Sequence, residues 1–208
     1  MSVFALGANA QTYCAAGPSS TIDSEITGVV LVGNTDTISN LDSSCGTSGV
    51  QDFTSTYSAD ISRGASYSVD VTMGTCGGTY SGAIAAWIDF NADGDFTDAG
   101  ELLGSYAGSP TTTQTFSFNV PASAALGTTR MRVMQQEGGS ITSIAPCNIF
   151  SWGAVEDYAI TIDTVNSPSC LAPTFSSISS TDSSVTISWV SNDTSFTVEY
   201  GTSGFVTG

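Results

Sequence analysis

Residues 66–73, SYSVDVTM, alternate without a break, with Tyr67, Val69, Val71 and Met73 on one side and Ser66, Ser68, Asp70 and Thr72 on the other. Successive side chains of a strand point to opposite faces, so this pattern predicts a strand with one face in a core and one in water. The same period recurs along the chain. TFSFNVP (115–121) lines up Phe116, Phe118 and Val120; RMRVM (130–134) sets Met131 and Val133 against Arg130, Arg132 and Met134; YAITI (158–162) lines up Tyr158, Ile160 and Ile162. TGVVLVG (27–33) and GAIAAWIDF (82–90) alternate less and read as more deeply buried strands. Turns rich in Gly and Ser, such as GTCGG (74–78) and QEGGS (136–140), separate these runs, and no segment carries a 3.6-residue period. The fold class predicted is all-β, an antiparallel β-sandwich of jelly-roll or Ig-like kind.

After Ile162 the texture changes. DTVNSPSCLAP (163–173) holds two prolines in a short polar stretch and reads as a linker, which places one domain at 11–165 and a second segment at 166–208. In that segment Val185, Ile187 and Trp189, then Phe196, Val198 and Tyr200, mark two further strands. The order of linker proline, Trp-bearing strand and VEYG strand resembles the first three strands of a fibronectin type III domain. Roughly 40 residues of half a sandwich cannot bury a core of their own, so the chain is expected to be a fragment of a longer protein, with Trp189 poorly covered. At the other end, Ala8-Asn9-Ala10 before Gln11 fits a signal peptidase site, and residues 1–10 read as a signal-peptide remnant.

Charge narrows the functions available. The chain of 208 residues holds no Lys, no His and three cations (Arg63, Arg130, Arg132) against 19 acidic residues, a formal charge of −16. Such a field repels nucleic-acid phosphates and anionic headgroups, so neither nucleic acid nor membrane insertion is expected, and cations are the natural small partners. Without His, the Ser-His-Asp and Cys-His hydrolases and the His-ligated metal sites drop out. Carboxylate-pair and Tyr chemistry stay formally open. Five cysteines lie far apart with no C-x-x-C, which points to disulfides in an oxidising compartment. The working expectation joins Cys14 to Cys45 and Cys76 to Cys147, with Cys170 left over, although spacing alone fixes no connectivity.

The densest charge lies in WIDFNADGDFTDAGE (87–101), which puts Asp89, Asn91, Asp93, Asp95, Asp98 and Glu101 around Gly94 with no basic residue among them. Calcium takes six to eight oxygens, and alternate acidic side chains around a glycine turn supply them. Asp89, Asn91 and Asp93 hold the first, third and fifth places of a D-x-[DN]-x-[DN]-G loop, with Gly94 sixth. The twelfth place is Gly100 and the carboxylate comes one later, at Glu101, so the strict EF-hand pattern fails; a strand rather than a helix also leads into it. The candidate calcium ligands are Asp89, Asn91, Asp93 and Glu101 by side chain and Asp95 by its carbonyl, with Asp98 spare or water-mediated. The alternative is a polar turn closed by Asx hydrogen bonds without metal.

CNIFSWGAVEDYAITI (147–162), taken with Tyr13-Cys14, the acidic stretch, VPASAALGTTRMRV (120–133) and the closing G-x-V-E-D-Y, resembles the GEVED domain over residues 11–165. The naming motif departs at Ala154, where the family has its first Glu. The resemblance implies a β-sandwich module of secreted, multidomain proteins, common in Bacteroidetes beside fibronectin type III repeats and peptidase domains. From the residues themselves, Arg130 and Arg132 share a strand face, and pairing with Glu156 and Asp157 would clamp neighbouring strands. An acid/base role for Glu156 and Asp157 is disfavoured because adjacent strand residues face opposite ways. Trp87, Trp152, Tyr80 and Phe150 are either core residues or a sugar-stacking platform. Asn192 opens an N-glycosylation sequon, and Asp36-Thr37-Ile38 and Asp163-Thr164-Val165 fit a short O-glycosylation pattern. The function expected is a non-catalytic, calcium-stabilised module for adhesion, spacing or substrate targeting, secreted or at the cell surface, with glycans, proteins or neighbouring domains as partners. The alternative is an accessory domain of a secreted hydrolase whose catalytic domain lies elsewhere.

Overall fold

The computed structural model describes residues 11–42, 45–164, 174–181 and 185–190. The expectations for residues 1–10, Cys170, Trp189 and Asn192 concern residues or side chains outside that set. The chain divides into two compact units, Met1–Val165 and Asn166–Gly208. In the second, β12 (Thr174–Ser180) pairs antiparallel with β13 (Val185–Val190).

The described residues of the first unit form a β-sandwich of eleven strands: β1 (Gly17–Ser20), β2 (Ser24–Val32), β3 (Thr37–Asn40), β4 (Val50–Asp52), β5 (Ser58–Ser62), β6 (Ser66–Thr75), β7 (Gly82–Ile88), β8 (Leu102–Gly108), β9 (Thr113–Asn119), β10 (Gly127–Glu137) and β11 (Ile149–Asp163). One sheet has four strands in the order β3-β2-β6-β9, all antiparallel. The other has seven strands, with β11-β10-β7-β8 antiparallel and β1, β4 and β5 laid in turn along the far edge of β11. Those three short strands pair parallel to β11, a departure from the purely antiparallel expectation.

The alternating runs explain the main core. Val69, Val71 and Met73 of β6, with Val29 and Leu31 of β2, meet Ile84, Ile88, Met131, Val133 and Ile160 of the facing sheet. Each of these side chains is fully buried. At ~25 cal/mol per Å² of apolar surface, such a layer is the main stabilising term of the module. The outer residues of β6 and β9 stay polar and pair across the strands: Thr72 with Thr113 (2.8 Å) and Asp70 with Thr115 (2.6 Å).

A second apolar layer covers the other face of the seven-stranded sheet. There Ala83, Ala85 and Trp87 of β7, Met134 of β10 and Val155 of β11 pack against Ala16, Phe96 and Ile144. This is why GAIAAWI does not alternate: every residue of β7 is buried because both of its faces are covered. The cover comes from the strap of residues 11–16 and from the segment between β10 and β11.

The strap also corrects the disulfide expectation. The bridges are Cys14–Cys147 and Cys45–Cys76, not Cys14–Cys45 and Cys76–Cys147. Parallel pairing of β1 with the start of β11 sets Gly17 opposite Ile149, which carries Cys14 across the sheet to Cys147. Among the described residues no helix is long and apolar enough to cross a membrane.

Candidate metal centre

The acidic loop begins where β7 ends, at Asp89. Gly94 and Gly100 both adopt φ of +96°, a conformation that glycine takes without steric cost, and these two residues turn the chain back toward β8. Between them the loop is built from Asx turns: Asn91 Oδ1 accepts from the Asp93 amide (3.1 Å), Asp93 Oδ1 from the Asp95 amide (3.1 Å), and Asp95 Oδ1 from the Thr97 amide (2.8 Å). The Thr97 amide and hydroxyl together hold the Asp95 carboxyl below its ordinary range.

The two ends of the loop are buried. Asp89 is fully covered, and its Oδ2 accepts from the Gly94 amide (3.0 Å) while Tyr13 Oη lies 2.8 Å away. Glu101, 2% exposed, accepts from the Phe90 amide through Oε1 and from the Asp98 amide through Oε2, each at 3.1 Å. Burial, reinforced by the neighbouring charges of Asp89 and Asp98, pushes the Glu101 carboxyl up to about 7 against those two amides. Asp89 and Glu101 therefore serve as pegs that fasten the loop to the sandwich.

Between the pegs, Asp93, Asp95 and Asp98 are exposed and bring carboxylate oxygens within 4.8 Å of one another. Asn91 donates its amide to Asp93 (2.9 Å) and Asp98 (2.6 Å), drawing the cluster together. Of the five residues singled out as ligands, Asp93 and Asp95 lie in the cluster, Asn91 braces it, and Asp89 and Glu101 anchor it. Asp98, expected to be spare or water-mediated, is its third member, and Asp95 contributes its carboxylate.

The donor set fits a hard divalent cation. Every group is an oxygen, the charges repel one another, and the two nearby guanidinium groups are committed elsewhere. Arg132 grips Asp157 through Nε to Oδ1 (2.7 Å) and Nη2 to Oδ2 (2.8 Å), and Arg130 reaches the same carboxylate at 2.9 Å and Asp52 at 3.7 Å. Arg132 also donates to the carbonyls of Cys14 and Pro146, and its guanidinium lies over the Phe96 ring of the acidic loop.

Glu156 takes no part in the expected clamp. Asp157 points into the outer layer, where the arginines are, and Glu156 points into the main core, because neighbours on a strand face opposite ways. There Glu156 accepts from the Tyr158 hydroxyl, which also accepts from the Asn40 amide (2.9 Å). Burial, with the charges of Glu25 and Asp42 nearby, pushes the Glu156 carboxyl up to about 8.

Residues 83–161 match the GEVED domain family. No curated protein matches the chain. Among solved structures it is similar to the CARDB domain of a Pyrococcus furiosus protein, crystallised in complex with di-metal ions, at 12% identity and a TM-score of 0.33 over 78% of this chain and 100% of that one. That likeness is too distant to carry a functional conclusion. The GEVED match spans β7 to β11, and so takes in the acidic loop, both clamp arginines and Asp157.

Sequence reasoning used Tyr13 only for the resemblance and gave Phe96 no role, yet their rings stack at 5.0 Å and join the strap to the loop. The available signal was an aromatic residue in the middle of an otherwise acidic run. Of the four residues proposed as a sugar platform, Trp87 is buried and Phe150 packs in the second apolar layer, whereas Tyr80 (49%) and Trp152 (46%) are exposed.

Proposed function

We propose that this chain is a non-catalytic accessory module of a larger secreted or cell-surface protein, stiffened by calcium and serving adhesion, spacing or substrate targeting. One observation carries the reading: Asp93, Asp95 and Asp98 converge on an exposed point of a loop whose ends are pegged into the sandwich. Neutralising three carboxylates by a cation would remove their mutual repulsion and lock the loop against the sheet that holds it. The disulfides Cys14–Cys147 and Cys45–Cys76 fit an oxidising compartment, where millimolar calcium would keep even a weak site filled. A match to the GEVED family over β7 to β11 supports the module reading.

Titration calorimetry of the full chain tests it. Calcium should bind with a dissociation constant of ~10⁻⁴–10⁻³ M, with magnesium weaker, and Asp93→Ala should abolish the heat. Equal heats for the wild type and Asp93→Ala would remove the loop from the account.

A further inference from the structure

The strap of residues 11–16 lies outside the stretch that matches the GEVED family, yet it forms the seat of the acidic loop. The Tyr13 ring stacks on Phe96 of the loop at 5.0 Å and carries the Arg130 guanidinium 4.6 Å from its centroid. Its hydroxyl lies 2.8 Å from Asp89 Oδ2 and 2.8 Å from Gln11 Oε1. Having one proton to give, it donates preferentially to the carboxylate, where charge assists the bond. Thr129 fixes the other end of the same residue by donating to the Asp89 carbonyl at 2.6 Å. A Cβ added at Gly94, the pivot of the loop, would lie 3.6 Å from the Thr12 carbonyl, so the strap runs close beside this turn. Behind the strap, Arg132 donates to the carbonyls of both Cys14 and Pro146, one on each side of the Cys14–Cys147 bridge.

We infer that the strap is a working part of the acidic loop: Tyr13 is the positioning residue for Asp89, and closure of the Cys14–Cys147 bridge and binding of a cation by the loop reinforce each other. The inference rests on the calcium reading of that loop. With the bridge closed, Tyr13 is delivered to Asp89 and Phe96, so the loop is ordered before the cation arrives. With the bridge open, the strap is free to leave, and binding must also order the loop. Linkage makes the effect reciprocal: whatever factor the bridge adds to cation affinity, the cation adds to the stability of the bridge.

The measurement is the reduction of Cys14–Cys147 in the full chain, equilibrated in dithiothreitol buffers, with and without 5 mM calcium. Reduction gives two thiols while dithiothreitol closes to its cyclic disulfide, and alkylation with mass spectrometry reads each bridge separately. Calcium should make Cys14–Cys147 about tenfold harder to reduce, a fall of about 30 mV in its potential, and leave Cys45–Cys76 unmoved. Tyr13→Phe, which keeps the ring and removes the proton donor, should shrink that shift and weaken calcium binding by roughly tenfold.

Calcium binding with an unchanged Cys14–Cys147 potential overturns the inference while leaving the calcium reading intact. If calcium does not bind at all, that reading falls and takes the coupling with it, and amide exchange of Asp93 and Gly94 then decides whether the strap positions the loop. Loss of their protection on opening the bridge would sustain the strap as the seat of the loop; unchanged protection would remove it.

Discussion

Arg132 is the residue on which most of the outer layer converges. It is 1% exposed, holds Asp157 with two parallel hydrogen bonds, and accounts for the carbonyls of Cys14 and Pro146. Replacing it with Ala leaves Asp157 buried without its closest counter-charge, which costs about 3–5 kcal/mol. Lysine cannot reproduce the fork, so Arg132→Lys should also lower the melting temperature. Chemical denaturation of the two variants measures this, and a loss below ~1 kcal/mol for Arg132→Ala would contradict the clamp.

Glu156, the sequence neighbour of Asp157, predicts a pH effect of opposite origin. The carboxyl is neutral in the fold up to about pH 8 but ionises near 4.5 when exposed, so the folded state holds a proton that the unfolded state has lost. That contribution is complete below about pH 4.5 and is lost as pH rises to about 8. Glu156→Gln keeps an acceptor for the Tyr158 hydroxyl and removes the titration. Stability should therefore fall by roughly 3 kcal/mol between pH 5 and 8 in the wild type and distinctly less in the variant. Parallel pH profiles from urea melts would contradict this assignment.

At the scale of the element, β1 shows how a short strand decides connectivity. Gly17 has φ of +121°, and a Cβ built there would lie 2.6 Å from the backbone of Gly49. The close approach packs β1 against the chain leading into β4 while β1 pairs with β11, the pairing that delivers Cys14 to Cys147. Gly17→Ala should cost about 1–3 kcal/mol and slow formation of that bridge, both measurable by refolding from the reduced state. Refolding at the wild-type rate and to wild-type stability would show that the approach is dispensable.

The same element marks the limit of what the sequence discloses. β6 and β9 were legible because one face of each looks toward water, and β10 and β11 because the outer face of each carries polar or charged side chains such as Arg130, Arg132 and Asp157, so each writes a period of two into the chain. The split between Glu156 and Asp157 was legible for the same reason. The parallel additions β1, β4 and β5 were not. They are three to five residues long, and their partner strand lies about a hundred residues away, where no local pattern points. The disulfide connectivity failed with them, since Cys14 reaches Cys147 only through β1. In the acidic loop the residue types were legible. The division between buried pegs, Asp89 and Glu101, and exposed cluster, Asp93, Asp95 and Asp98, depends on which side chains find backbone amides, and that follows from the fold.

For the whole molecule the decisive property is a surplus of negative charge held by very few cations. The formal charge is −16, and two of the three arginines are spent on Asp157 beneath the strap. Self-repulsion of this kind opposes the compact state, and it is concentrated at the acidic loop. A module of this composition gains stability from any cation that binds the folded chain alone. Magnesium, which demands a tighter octahedral shell and gives up its waters reluctantly, should stabilise less than calcium.

The most direct test of calcium as a structural element is the thermal melt of the full chain, non-reduced, in 5 mM calcium, in 5 mM magnesium and in chelator. For a dissociation constant of ~10⁻⁴ M, calcium should add about 2 kcal/mol and raise the midpoint by roughly 5 °C, with Asp93→Ala insensitive. Coincident melts in all three buffers would contradict the account and leave the loop a solvated turn closed by its own Asx hydrogen bonds.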